Sequence, residues 1–256
     1  MKKDKWRLDG KRALVTGGTK GIGLAIAEEI LELGGHVYIV ARNADLVEER
    51  LAAWRKKGFE VFGIAADISE EGGRKKLLED LSRHWDKLDI LINNVGTNIR
   101  KKAVEYSQDE YDTIIATNMH STFDMCRRAY LLLRKSGTGA VVNIISVAGL
   151  THIRTGAPYA MSKAAVRQLT RNLAVEWAAD GIRVNAVAPW YTRTPLVEQL
   201  LKDKDYLADI IARTPMGRIA EAEEVASVAV FLCMPSASYV TGQCIAVDGG
   251  FMINGF

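Results

Sequence analysis

The sequence predicts one domain, 1–256, built as a doubly wound parallel α/β sheet of about seven strands with helices on both faces. Three observations predict it. Short apolar, β-branched runs alternate with longer amphipathic stretches, the rhythm of βαβ units whose strands are buried on both faces. No linker rich in Pro, Gly or Ser divides the chain, and no repeat of solenoid or propeller period runs through it. A glycine-rich turn joins the first strand to the first helix, where a βα unit of this kind turns most tightly.

In chain order, residues 12–16 read as the first strand and 22–33 as the first helix. Residues 36–40 and 44–56 repeat the unit, and 59–65 with a helix near 70–84 repeat it again. The fourth strand falls at 89–92. Two long helical stretches, 109–134 and 158–179, then enclose a buried strand at 140–145. Residues 182–188 and 244–247 supply the last two strands. The helical segment 195–219 has no place in this alternation. It is expected to lie over the sheet's edge and, with the residues from 190 onward, to form a lid at 190–219 over the strands' carboxyl ends.

Composition narrows the function classes. Hydrophobic residues are 48% and charged residues 25%, ordinary for a soluble globular chain. A net charge of +3 offers no basic footprint for nucleic acid. The charged opening, Met1 to Trp6, reads as no secretory leader, and no apolar run reaches membrane-spanning length. Cys126, Cys233 and Cys244 show no paired spacing, so a reducing cytoplasm is the expected setting. The four histidines are scattered, and no metal site is expected.

The turn reads Thr16-Gly17-Gly18-Thr19-Lys20-Gly21-Ile22-Gly23. Gly17 allows the tight turn, Gly21 lets backbone approach a pyrophosphate, and Gly23 lets helix pack on strand. The helix N-terminus then offers free N–H groups and the positive dipole end to the phosphates. Three residues separate Gly17 from Gly21, a departure from the G-x-G-x-x-G fingerprint. The second strand ends in Val40-Ala41-Arg42-Asn43, without the acid that would bond an adenosine ribose diol. Arg42 and Lys20 instead suit a 2′-phosphate, so NADP(H) is expected over NAD(H).

Tyr159 and Lys163 stand four apart at the start of a helix, on one face. A free phenol titrates near 10, and a neighbouring cation favours the phenolate. The pair can pass a proton to or from a substrate oxygen. Ser146 closes the strand before it, thirteen residues earlier, at a carboxyl end where a hydroxyl can hold a carbonyl oxygen.

These motifs, with Asn93-Asn94-Val95-Gly96, Asn118, Pro189 and Val247-Asp248-Gly249-Gly250, resemble the short-chain dehydrogenase/reductase family in order and spacing over nearly the whole chain. The resemblance implies a Rossmann-type fold and hydride transfer between a nicotinamide and a carbonyl or alcohol. It implies that Tyr159 is the acid/base, Ser146 orients the substrate oxygen, and Lys163 bonds the nicotinamide ribose while lowering the tyrosine pKa. By the same resemblance Asn118 holds a water in a proton relay, Asp67 and Ile68 meet the adenine, and Asn93 lies beside the adenosine ribose. Asn94 and Gly96 shape the backbone there. Pro189, Thr192 and Thr194 meet the nicotinamide amide and nearby phosphate. Family members form homotetramers through their two long helices.

The stretch from Val187 to Glu198, Glu176-Trp177-Ala178 and the ending Gly250-Phe251-Met252 resemble the tropinone-reductase-like branch. Pro189-Trp190 replaces the family's usual Pro-Gly, and Trp190 either walls the substrate pocket or packs. Arg100, after the Asn-Asn-Val-Gly motif, either points to solvent or sits near the pocket, where it would repel a protonated tropane amine. On the second alternative the substrate is a small neutral or anionic carbonyl compound rather than tropinone. Two other readings stand beside this one. The first is 3-oxoacyl carrier-protein reduction, weakened because Gly137 and Asp180 occupy the positions where a basic docking pair is expected. The second is a nucleotide sensor that has lost catalysis.

Overall fold

The computed structural model describes residues 4–255, so residues 1–3 of the charged opening lie outside the described residues. Strands β1 (Arg12–Thr16), β2 (His36–Ala41), β3 (Val61–Ala65), β4 (Ile90–Asn93), β5 (Gly139–Ile144), β6 (Ile182–Pro189) and β7 (Cys244–Val247) form a seven-stranded sheet. Its order is β3-β2-β1-β4-β5-β6-β7, and every neighbouring pair is parallel. The helices are α1 (Gly21–Glu32), α2 (Ala44–Lys56), α3 (Glu71–His84), α4 (Gln108–Ile115), α5 (Ser121–Ser136), α6 (Ala157–Glu176), α7 (Glu198–Leu201), α8 (Lys204–Ala212) and α9 (Ala222–Cys233).

Two apolar layers sandwich the sheet. Ile26, Ile30, Leu51, Val225 and Leu232 of α1, α2 and α9 pack on Val15, Ile39, Ile92 and Val142. On the opposite face Leu77, Leu81, Met125, Leu133 and Leu173 of α3, α5 and α6 pack on Leu14, Tyr38, Leu91 and Val141. Successive strand side chains point to opposite faces, so strands covered on both sides are apolar at most positions, with buried Asn93, Asn143 and Asn185 as exceptions. Each such side chain contributes about 1.5–3 kcal/mol relative to exposure.

Three elements differ from the sequence reading. Strand β3 starts at Val61, two residues later than 59, because the Phe59 N–H is taken by the Trp54 carbonyl as the chain leaves α2. The stretch 109–134 is not one regular helix. A π turn, Ala116–His120, separates α4 from α5, and the Ser121 N–H reaches back five residues to the Ala116 carbonyl. The stretch 158–179 is α6 followed by a short 3₁₀ turn, Ala178–Asp180. Segment 195–219 holds α7 and α8, which share a small apolar cluster of their own with Tyr191, Ile210 and Ile219.

The strand order reverses direction between β1 and β4, since the chain runs outward through β2 and β3 before returning to β4. Ligands of open α/β sheets bind at such a switch point, outside the carboxyl ends of the strands.

Candidate active site

A cleft of about 810 Å³ opens there. Its wall takes residues from the carboxyl end of each of six strands: Gly17 after β1, Ala41 in β2, Ala66 after β3, Asn94 after β4, Ile144 in β5 and Pro189 in β6. Trp190, Thr192, Thr194, Pro195, Leu196 and Val197 line its outer side.

At one end lies the glycine turn. Gly17 and Gly21 have φ +68° and +58°, a left-handed backbone that disfavours side chains. Gly23 is where α1 presses on the turn, and a Cβ there would stand 2.3 Å from the Gly17 carbonyl oxygen. Lys20 occupies the N-cap of α1 without a side-chain hydrogen bond, and the first turn holds no acid. The leading N–H groups of α1 therefore lack a side-chain partner, as a phosphate seat requires. Thr19, Lys20, Ile22, Arg42, Asp67 and Ile68 line this end of the cleft. The Arg42 guanidinium is 82% exposed and 3.8 Å from the Asp67 carboxylate. That carboxylate also accepts from the Ser69 N–H at 2.9 Å and hydroxyl at 2.7 Å.

Ser146, Tyr159 and Lys163 line the other end. Ser146 leaves β5 and caps a 3₁₀ turn, Val147–Gly149, its Oγ accepting from the Ala148 N–H at 3.1 Å. That turn lies tight against α6, since a Cβ on Gly149 would come within 2.7 Å of the Lys163 carbonyl carbon. Ser146 is thereby fixed relative to the helix carrying Tyr159 and Lys163. The buried Lys163 donates to the Ile144 carbonyl at 3.0 Å, and its ammonium stands 5.7 Å from the Tyr159 ring centre.

Burial pushes the Lys163 ammonium down to about 8. It pushes the Tyr159 phenol above its ordinary value, while a hydrogen bond from Ser146 and the charge of Arg100 act the other way. The expected lowering of the tyrosine by Lys163 is therefore not the net effect here. Loss of water around the phenolate outweighs the Ser146 hydrogen bond and the Arg100 charge.

Four sequence-read residues lie off the cleft wall. Gly23 is the packing glycine just described. Asn93 does not flank the cleft. Its side chain turns to the α5–α6 layer, where it donates to Asn143 at 2.9 Å and lies 3.2 Å from the Cys126 sulfur. The next residue, Asn94, is on the wall, and its amide donates to the Thr16 and Gly17 carbonyls at 3.0 and 3.3 Å. Asn118 sits in the π turn one layer behind. Its side chain accepts from the Thr97 N–H at 2.7 Å, and its amide donates to the Thr97 carbonyl at 2.9 Å and to Ser162 Oγ at 3.1 Å. Ser162 in turn donates to the Tyr159 carbonyl at 2.7 Å, so Asn118 ties the loop after β4 to the helix of the tyrosine. Arg100 is off the wall too, yet close enough for its charge to reach both Tyr159 and Tyr191.

Gly96, Pro189, Thr192, Thr194 and Trp190 stand on the wall as read. Trp190 faces the cleft while its ring stacks on Phe251 at 3.7 Å and its indole N–H donates to Thr214 at 3.0 Å. Thr113 and Thr117, which no motif marked, also line the cleft, as do Thr97 of the loop after β4 and Leu196 and Val197 of the expected lid segment. Thr113 lies in α4 and Thr117 four residues on in the π turn, a helical spacing that keeps both on one face.

A family model described as Enoyl-(Acyl carrier protein) reductase matches residues 17–252. The chain belongs to the short-chain dehydrogenase/reductase family. A tropinone reductase homolog of Arabidopsis thaliana is 51% identical over 100% of this chain and 98% of its own length. The gluconate 5-dehydrogenase of Burkholderia cenocepacia, solved in complex with NADP and tartrate, is 32% identical with a TM-score of 0.93 over 98% of each chain. The Pseudomonas aeruginosa RhlG/NADP complex is 35% identical, with a TM-score of 0.90 over 96% of this chain and 98% of its own. This member of the short-chain dehydrogenase/reductase family is thus an oxidoreductase similar to tropinone-reductase-like proteins and to dehydrogenases of sugar acids. Among its described residues no helix is long and apolar enough to cross a membrane.

Proposed function

We propose that this chain reduces a small ketone or aldehyde to an alcohol, or runs the reverse, with NADP(H) as cofactor and Tyr159 as acid/base. The observation that carries the reading is the convergence of Ser146, Tyr159 and Lys163 at one end of a cleft whose other end holds an uncapped helix N-terminus beside Lys20 and Arg42. The structures of relatives with NADP support the same cofactor.

The residues fit a dinucleotide phosphate. Uncapped N–H groups of α1 would take the pyrophosphate, Lys20 and Arg42 the 2′-phosphate, and Ile68 the adenine face. Lys163 would hold the nicotinamide ribose, while Pro189, Thr192 and Thr194 border the nicotinamide end. When bound, the reduced cofactor supplies a hydride to the carbonyl carbon. Ser146 and Tyr159 hold the carbonyl oxygen between two hydroxyls. As negative charge builds there, Tyr159 gives its phenolic proton to the oxygen. Held above its ordinary value by burial, the phenol carries its proton at neutral pH, the form a general acid must start from. Lys163 stabilises the phenolate left behind, and the Asn118–Ser162 chain keeps the Tyr159 backbone in place.

The substrate is proposed to be a free small molecule. Asp180, at a position expected to dock an acidic carrier, accepts from Tyr130 at 2.7 Å and lies 3.8 Å from Arg134, so a fixed acid stands there. Exposed Phe123 and Leu131 on α5, with Met161 and Val175 on α6, support assembly into a homotetramer through these helices. Free Cys126, Cys233 and Cys244 suit a cytoplasmic setting.

The test is a panel of cyclic ketones, oxo acids, oxoacyl thioesters and tropinone, with NADPH consumption read against alcohol formed. The reading predicts one-to-one stoichiometry and poorer use of NADH. No carbonyl turnover, or tropinone reduced as fast as the best substrate, would overturn it.

A further inference from the structure

The substrate end of the site carries an unanswered positive charge. Arg100 lies in the loop after β4, tied by Asn98, whose amide donates to Thr155 Oγ1 at 2.6 Å, to the loop that leads into α6. Two cations beside it have an acid: Lys101 has Glu110 at 2.5 Å, and Arg154 of the adjoining loop has Asp209 at 2.7 Å. Arg100 makes no ion pair or side-chain hydrogen bond among the described residues, and its Nε is sealed from water with no acceptor. Burying a guanidinium nitrogen without an acceptor is unfavourable, and no protein acceptor among the described residues answers the rest of the fork, so its pairing is left to a ligand.

The charge balance around it is one-sided. Asp67 is the one carboxylate on the described cleft wall, and it lies at the adenosine end beside Arg42. Arg100 and Lys163 flank Tyr159 with no acid facing them on that wall. Tyr191, which also feels Arg100, bonds hydroxyl to hydroxyl with Tyr206 of α8, so Arg100 stands among the β4 loop, the start of α6 and the segment over the cleft. A substrate whose reacting carbon is seated between Ser146 and Tyr159 and whose remainder extends toward this junction meets Arg100.

We propose that Arg100 is a specificity-determining residue that pairs with a carboxylate on the substrate, so that the compounds turned over are oxo acids and their hydroxy-acid counterparts. This rests on the carbonyl–alcohol reading of the site given above. The fork of a guanidinium matches a carboxylate with two parallel N–H donors, whereas a neutral carbonyl compound leaves Arg100 unpaired. A protonated amine at the same place meets a like charge.

Two measurements test it. The first compares oxo acids of three to six carbons with their methyl esters in NADPH oxidation, for wild type, Arg100→Ala and Arg100→Lys. Wild type is expected to favour acids over esters at least tenfold in kcat/KM. Arg100→Ala is expected to lose about ten- to hundredfold on acids and far less on esters, and Arg100→Lys to keep part of the preference. The second titrates gluconate and its neutral counterpart sorbitol into NADP⁺-loaded protein by calorimetry, with Tyr159→Phe as background to block turnover. Gluconate is expected to bind at least tenfold more tightly, and Arg100→Ala to erase the difference. Esters preferred by wild type, equal binding of gluconate and sorbitol, or a parallel loss on both members of each pair in Arg100→Ala would overturn the proposal. If nothing is reduced while the calorimetric preference and its Arg100 dependence hold, the carboxylate seat stands and the carbonyl–alcohol reading falls. If esters and neutral ketones are reduced in preference to acids, that reading stands and the seat falls.

Discussion

Arg42→Ala tests the cofactor end quantitatively. The Arg42 side chain is 82% exposed, and its partner at 3.8 Å is Asp67. An exposed pair is worth about 0–1 kcal/mol, which Arg42 gives up on turning to a 2′-phosphate. A charge-assisted contact to that phosphate is worth about 1.5–3 kcal/mol, reduced by surrounding water at so open a place. The difference is about 1–2 kcal/mol, or about five- to thirtyfold in affinity. Steady-state kinetics with each cofactor should show the KM for NADPH rising by that factor in Arg42→Ala, and the KM for NADH changing less than about twofold. Wild-type preference should also shrink between about 0.05 and 0.5 M salt, because the contact is exposed. Equal increases for both cofactors would mean that Arg42 only shapes the turn. No increase for NADPH would mean that the phosphate is held elsewhere.

Three further outcomes follow from the same geometry. Lys163→Met should abolish most activity yet raise the thermal midpoint at pH 7. The wild-type lysine is buried with its pKa near 8, below the unfolded 10.5, so ionisation favours the unfolded chain below pH 8. Between about pH 8 and 10.5 the unfolded state binds the extra proton and wild type gains stability, so the two melting curves should converge there; a constant gap would refute the assignment. Gly23→Ala places a Cβ 2.3 Å from the Gly17 carbonyl oxygen and 2.4 Å from the Asn94 amide nitrogen. It should lower urea stability by about 1–3 kcal/mol and weaken NADPH binding together, as read by chemical melts and fluorescence titration. Asn118→Ala strips the Thr97 N–H of its buried acceptor and should destabilise by about 1–3 kcal/mol, with kcat falling more than KM changes.

Local rules made much of the site legible. Tyr159 and Lys163 share a face because helix neighbours four apart always do, and Ser146 follows from the end of a buried strand. The glycine turn declared itself by its position between strand and helix. What stayed hidden depends on phase and tertiary contact. Asn93 ends β4 and Asn94 follows it, and alternation sends neighbours to opposite faces, but both are polar, so the sequence does not say which one meets the cleft. The π turn at Ala116–His120 is equally silent, since one added residue rotates an apolar stripe by only about 100°. The upward push on Tyr159 and the missing partner of Arg100 arise from packing between loops far apart in sequence.

The most direct measurement of proton transfer by Tyr159 is kcat of Tyr159→Phe against the best carbonyl substrate, alongside its NADPH affinity. If Tyr159 moves the proton, kcat falls about 10²- to 10⁴-fold while NADPH binding changes less than about threefold. A phenylalanine variant that keeps full activity would contradict that role.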